Sequence, residues 1–149
     1  MRLKLDARLR QTLLVPACLF ALASGFVPSA IADEPARGAG RGHVTPVFAT
    51  QLPNVPGKSL TAVLVRYAPG EASPPHHHAG SVFAYVLSGE IRSQTSVGGP
   101  ARVYKPGESF FEPPGSDHLV SANASTTEPA SLLAIFVADD GASLTVPNK

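Results

Sequence analysis

The chain has 149 residues, 44% of them hydrophobic and 15% charged, with a formal net charge of +1 and no Trp. That length leaves room for one domain, and the slight basic excess belongs to the N-terminus, where Arg2, Lys4, Arg8 and Arg10 cluster. With no basic face, no arginine-rich stretch and no Trp platform, nucleic acid is not an expected partner.

The cationic head precedes an apolar run from Thr12 to Ile31 that closes on Ala30-Ile31-Ala32. This is the layout of a bacterial-type signal peptide over residues 1–32, cleaved after Ala32, which predicts a periplasmic or secreted protein. Pro16, Gly25 and Pro28 interrupt the run, whereas a membrane anchor needs roughly 20 unbroken apolar residues. No membrane association is expected once the leader is gone. A lipoprotein reading of Val15-Pro16-Ala17-Cys18 has only a very short apolar stretch in front of Cys18. Cleavage would remove Cys18, the only cysteine, so disulfides cannot hold the fold. It would also leave eight Lys and Arg against ten Asp and Glu.

Residues 33–45, rich in Gly, Ala, Pro and Arg, lack periodicity and read as a flexible arm ahead of one domain over 46–149. Strand-length runs follow at Leu60–Tyr67, Ser81–Ser88, Glu90–Thr95, Ala101–Tyr104, Ser109–Glu112, His118–Ser121 and Leu132–Val137. Turn signals separate most of them: Pro69-Gly70, Ser88-Gly89, Gly98-Gly99-Pro100, Pro106-Gly107 and Pro114-Gly115. Hardly any stretch of helical length is free of Pro or Gly. The pattern predicts an all-β sandwich, barrel or jelly roll.

Two of these runs, Val82–Leu87 and Leu132–Val137, are hydrophobic or small at every position, so neither face suits water. Alternation sends Gly80, Val82, Ala84 and Val86 inward with His78, and Phe83, Tyr85 and Leu87 outward. The outward set predicts either a homodimer or packing against a second sheet within one subunit. The small inward set leaves space for a small-molecule ligand, with Phe110 or Phe111 as an apolar wall.

The chemistry is concentrated in histidine. In an extended segment, side chains at alternate positions point the same way, so His76 and His78 can bind one metal ion together, with His118 as a third nitrogen donor if it folds beside them. His77 should face away. The competing interpretation is a hydrated, His-rich turn after Pro74-Pro75. His43 lies outside this constellation and reads as an ordinary surface residue. Arg66 and Arg92 read as exposed strand residues, with contact to an anionic ligand as the other option.

Two spaced motifs carry a resemblance. Gly70, five residues, His76-His77-His78, three residues, Val82, six residues, Gly89 is the first; Gly107, five residues, Pro113-Pro114-Gly115, two residues, His118 and then Asn123 is the second. Together they resemble the paired motifs of the cupin superfamily, small jelly-roll β-barrels, over roughly Leu60 to Val137. The resemblance implies a cupin-like barrel holding one divalent transition metal ion, which donor type leaves open among iron, manganese, nickel, copper, cobalt and zinc. Family members include dioxygenases, isomerases and decarboxylases as well as sugar-binding and sensor modules, so both a dioxygenase-like oxidation of a small chelating molecule and a non-enzymic binding role stand open.

Two positions depart from the family pattern. Val82 stands where the family has its glutamate ligand, and Asn123 falls one residue late. Three neutral imidazoles alone would leave a divalent ion its full double charge and open coordination positions. Glu112, entering the Pro113-Pro114-Gly115 turn on the same strand face as Phe110, is the candidate replacement as a metal ligand. It could equally accept a hydrogen bond from a ligand histidine, act as a general base or be solvated. Glu112 and Tyr85 are the candidate catalytic proton carriers.

Overall fold

The computed structural model describes residues 42–149, all of whose regular elements are strands. The expected leader lies outside the described residues, as does most of the expected arm.

In chain order the strands are β1 (His43–Gln51), β2 (Lys58–Tyr67), β3 (Ala72–Ser73), β4 (His76–His77), β5 (Ser81–Ser88), β6 (Ile91–Thr95), β7 (Arg102–Tyr104), β8 (Ser109–Glu112), β9 (Asp117–Asn123), β10 (Ala130–Asp139) and β11 (Val146–Pro147). They form two sheets, ordered β1-β2-β10-β5-β8 and β11-β4-β9-β6-β7, with β3 also paired to β9. This is the expected all-β jelly roll. The seven predicted strands are all present, within two residues at either end.

β1 corrects the expected boundary, because regular pairing begins at His43, inside the segment read as an arm. Its partners run from His43↔Arg66 to Gln51↔Ser59, with a bulge between Pro46 and Phe48. Pro46 lacks the N–H a central strand needs, and an edge strand at a bulge is where proline is tolerated.

The inner face of the five-stranded sheet is built from cross-strand rows. One row reads Val63, Ala134, Ala84, Phe110, and the next Thr61, Phe136, Val82, Glu112. Val63, Val82, Ala84, Val86, Leu132, Ala134 and Phe136 are buried there, and Ile91 of β6 joins them from the opposite sheet. The outer face is different. Phe83, Tyr85 and Leu87 are 44, 39 and 46% exposed, so the alternative of a second sheet packed on them is not realised among the described residues.

The glycines that punctuate the two motifs, Gly70, Gly89, Gly107 and Gly115, all have positive φ. Gly89, between β5 and β6, is the most constrained. Its φ is 66°, and an added Cβ would overlap the Pro129 carbonyl oxygen and come within 2.7 Å of the Ala130 Cα. Gly99 has φ 81° but open space around it. Gly89→Ala is therefore expected to destabilise by about 2–3 kcal/mol and Gly99→Ala by about 1 kcal/mol. Urea denaturation midpoints of the two variants check this, and equal losses would contradict it.

Candidate metal centre

β4 lies antiparallel to β9 in the register His76↔His118 and His77↔Asp117. Directly opposed residues share a sheet face, so this pairing alone sets His76 beside His118. His78 follows two residues after His76. Its carbonyl oxygen accepts a 2.8 Å hydrogen bond from the Gly115 N–H, which ties the β8–β9 turn to the histidine segment. The donor atoms of His76, His78 and His118 consequently all lie within 4.8 Å of one another. His77 turns away, as alternation predicts, and its Nδ1 lies 3.1 Å from Asn148 Oδ1.

Outer hydrogen bonds determine which nitrogens face inward. His76 Nδ1–H donates to the Pro74 carbonyl at 2.7 Å, and His78 Nδ1–H to the Leu144 carbonyl at 2.6 Å. A carbonyl oxygen only accepts, so both rings carry the proton on Nδ1 and keep the Nε2 lone pair free. His118 Nε2 lies 2.9 Å from Ser93 Oγ, which leaves Nδ1 toward the other two rings. Burial lowers the pKa of His76 and of His78 from the ordinary 6.5, against the opposing pull of their carbonyl hydrogen bonds.

That shift has a consequence for the metal-free protein. Because the folded pKa values lie below 6.5, the unfolded chain takes up protons first on acidification. Stability is complete above about pH 6.5 and is lost as pH falls through the folded values. Melting temperature of metal-free protein should drop between pH 7.5 and 5, with a shallower slope in His76→Gln/His78→Gln; parallel slopes would contradict the assignment.

Glu112 is 2% exposed and stands directly opposite Val82 across the β5–β8 pair. Glu112 thus presents a carboxylate one strand over from the position where the family motif has its glutamate, at the same level and on the same face. Glu112 Oε2 lies 3.0 Å from His118 Nδ1 and 3.7 Å from His78 Nε2. Yet Glu112 Oε2 and His118 Nδ1 are both buried without a hydrogen-bond partner, because the close pair is not aligned for one. A carboxylate oxygen and an imidazole nitrogen buried at that distance are reconciled either by the tautomer that carries a proton on the nitrogen or by a metal ion beside both. The His76 and His78 donors lie close to His118, so three imidazole nitrogens suit a divalent transition metal, with the Glu112 carboxylate beside two of them.

Tyr85 requires correction as well. It lies on the outer face of β5, on the side opposite Val82 and Ala84, and does not line the histidine cavity. Strand parity rules out proton transfer by its hydroxyl at the centre. Phe110 lines the cavity, whereas Phe111 is exposed. Arg66 and Arg92 are both exposed.

The late Asn123 has a structural cause. β9 carries a bulge against β6, with Gln94↔Val120 followed by Thr95↔His118, so Leu119 is an extra residue. The bulge absorbs the one-residue offset and turns both His118 and Ser121 inward. Asn123 Nδ2 donates to the Ala68 and Glu128 carbonyls at 3.0 and 2.7 Å, and its Oδ1 accepts from the Ser125 N–H at 2.9 Å. That amide locks loops together and takes no part in the centre.

A cupin-domain family model matches residues 63–136, the span holding all three histidines and Glu112. The chain belongs to the cupin superfamily. Solved cupin-type structures resemble it at low sequence identity. A double-stranded β-helix protein from Klebsiella pneumoniae is 23% identical with a TM-score of 0.58, covering 77% of this chain and 90% of its own. A DMSP lyase from Ruegeria pomeroyi is 22% identical at TM-score 0.56, covering 72% of this chain and 52% of the enzyme. A recombinant oxalate oxidase, solved with glycolate, is 26% identical at TM-score 0.50, covering 64% of this chain and 50% of the oxidase. This cupin therefore spans about half the length of those two enzymes. No curated protein sequence matches it.

Sequence reasoning missed the residues that orient the rings: Pro74, Leu144 and Ser93. They act through backbone carbonyls or through strand pairing distant in sequence. No local signal marks them.

Proposed function

We propose that this cupin is an exported protein that binds one divalent transition metal ion through His76, His78 and His118, with Glu112 as the fourth ligand, and oxidises a small chelating molecule there. The observation that carries the reading is the buried, unpartnered pair Glu112 Oε2 and His118 Nδ1, set beside two free imidazole lone pairs. The likeness to an oxalate oxidase, at 26% identity, supports oxidation as the reaction class.

A bound ion would supply Lewis acidity and, if redox-active, electron exchange with dioxygen. The remaining work belongs to the chain. The carbonyls of Pro74 and Leu144 and the hydroxyl of Ser93 hold the three rings in their donor orientation. Glu112 faces the same space and, staying ionised, would exchange its contact with His118 Nδ1 for one with the bound ion. The apolar wall of Val63, Ala84, Ala134 and Phe136 keeps bulk water away from that exchange.

A binding module that holds its ligand without turnover is the competing reading. It is favoured by the cavity lining, where Tyr67 is the one titratable side chain besides the four at the centre. Dioxygen uptake separates the two. Iron- or manganese-loaded protein supplied with chelating phenols and hydroxy ketones should consume dioxygen, and His76→Ala/His118→Ala should not. Ligand binding without uptake under every metal would overturn the oxidase reading in favour of the module.

The uncovered outer face supports pairing with a second copy. Phe48, Ala62, Ile135, Phe83 and Phe111 form one apolar row across all five strands of that sheet. Light scattering of the purified chain should give a dimer mass; monomer alone at micromolar concentration would contradict this.

A further inference from the structure

The cavity over the histidines has a volume of about 460 Å³, within the range of small-molecule sites. Its chemistry is uneven. Charged and ligating groups occur at one place, where His76, His78, His118 and Glu112 meet. The remaining hydroxyl-bearing tyrosine, Tyr67, has its Oη 2.8 Å from Ser73 Oγ and 2.8 Å from Ser121 Oγ. One of these bonds uses the phenol proton and the other its lone pair, so the three hydroxyls largely satisfy one another. Burial raises the Tyr67 pKa, and the phenol stays neutral. Most of the wall is apolar: Val44, Val63, Val65, Phe110, Leu132 and Ala134. Among the described residues, no Lys, Arg, Asp, Asn or Gln lines it.

Charge then selects the ligand. A divalent ion beside the Glu112 carboxylate has one positive charge uncompensated, and a monoanion brings the buried centre to neutrality. A dianion would leave one negative charge surrounded by valine, leucine and phenylalanine with no cation in reach, which is costly. A sugar would bring many hydroxyls to a wall with few free partners, each unpaired group carrying its own desolvation cost. A metal ion with open coordination positions, held by His76, His78, His118 and Glu112, would take a chelating head group there.

Resting on the metal centre proposed above, we infer that the ligand of this cavity is a monoanionic, two-atom chelator carrying an apolar substituent, and that small dicarboxylates are rejected. The head group lies at the histidines and Glu112. The substituent lies along Val65, Leu132 and Phe110. The likeness to an oxalate oxidase would thus extend to the reaction class but not to the substrate.

Three probes test this on the metal-loaded full chain, with metal content read in the same samples. Acetohydroxamate and benzohydroxamate share a monoanionic chelating head and differ by methyl against phenyl; oxalate is the dianion. Each affinity, from calorimetry, is taken relative to that of the aqueous ion. Benzohydroxamate should exceed acetohydroxamate by at least ~10-fold, the order expected for burying a ring in an apolar wall. Oxalate should rank last. Val65→Phe, which narrows the wall, should remove the preference for phenyl, and the wild-type comparison stands whether or not that variant folds. Equal affinity for the two hydroxamates, or oxalate at the top, in protein that carries its metal overturns this inference alone. Wild-type protein that takes up no metal overturns the proposed function and this inference with it.

Discussion

Replacing His118 with alanine is expected to lower metal affinity by at least ~100-fold, beyond the effect typical of losing an outer hydrogen bond. His118 is 3% exposed, pairs directly with His76 across β4 and β9, and directs Nδ1 at the carboxylate of Glu112. Without it the metal would have two imidazoles from one short segment, and Glu112 would lose its nearest partner at 3.0 Å. The metal-free variant should also lose stability, by about 2 kcal/mol, because truncating a buried ring leaves a cavity. Metal titration followed by calorimetry, with a denaturant melt of the same variant, measures both effects. His43→Ala, in an exposed edge strand, should change neither.

The second large effect concerns the carboxylate. Glu112→Leu should lower metal affinity by about 10–100-fold and raise the stability of the metal-free chain, because it removes a buried carboxylate oxygen that has no hydrogen-bond partner. Adding Val82→Glu to Glu112→Val should return affinity to within about tenfold of wild type. Val82 and Glu112 are cross-strand partners on one face, so their Cβ atoms are about 5 Å apart and either can present a carboxylate to the same point. Val82→Glu alone places two carboxylates side by side in the core and should destabilise the metal-free fold. If the exchanged double variant binds no better than Glu112→Leu, Glu112 has a duty that its neighbour's position cannot perform.

Much of this site was legible because its parts are local. The spacing of Gly70, His76, His78 and Gly89, and of Gly107, Pro113, Gly115 and His118, records turns and alternating strand faces, which are properties of neighbouring residues. The inward set Val82, Ala84 and Val86 followed from parity and is buried. Glu112 was legible as a residue but not as a position, since its inward direction depends on how β8 pairs with β5. Tyr85 shows the reverse: alternation already sent it outward, and its burial agrees.

Other features depended on contacts far apart in the chain. β1 offered no alternating signal, because Val44, Val47 and Phe48 are all exposed and Pro46 interrupts the pattern, so only its pairing with β2 defines it as a strand. Ser93 reaches His118 through the β6–β9 register, and Leu144 reaches His78 from the far end of the chain. The hydroxyl group of three, Tyr67, Ser73 and Ser121, joins β2, β3 and β9. The bulge at Leu119, visible in sequence only as a late Asn123, needed the strand partner to be located.

The central claim is that three histidines on β4, its following turn and β9 hold a metal ion. Elemental analysis of purified wild-type protein beside His76→Ala/His118→Ala tests it most directly. The account predicts about one equivalent of iron, manganese, nickel, copper, cobalt or zinc per wild-type chain and close to none in the variant. Wild-type protein that holds no metal even after reconstitution, or a variant that holds as much, would contradict it.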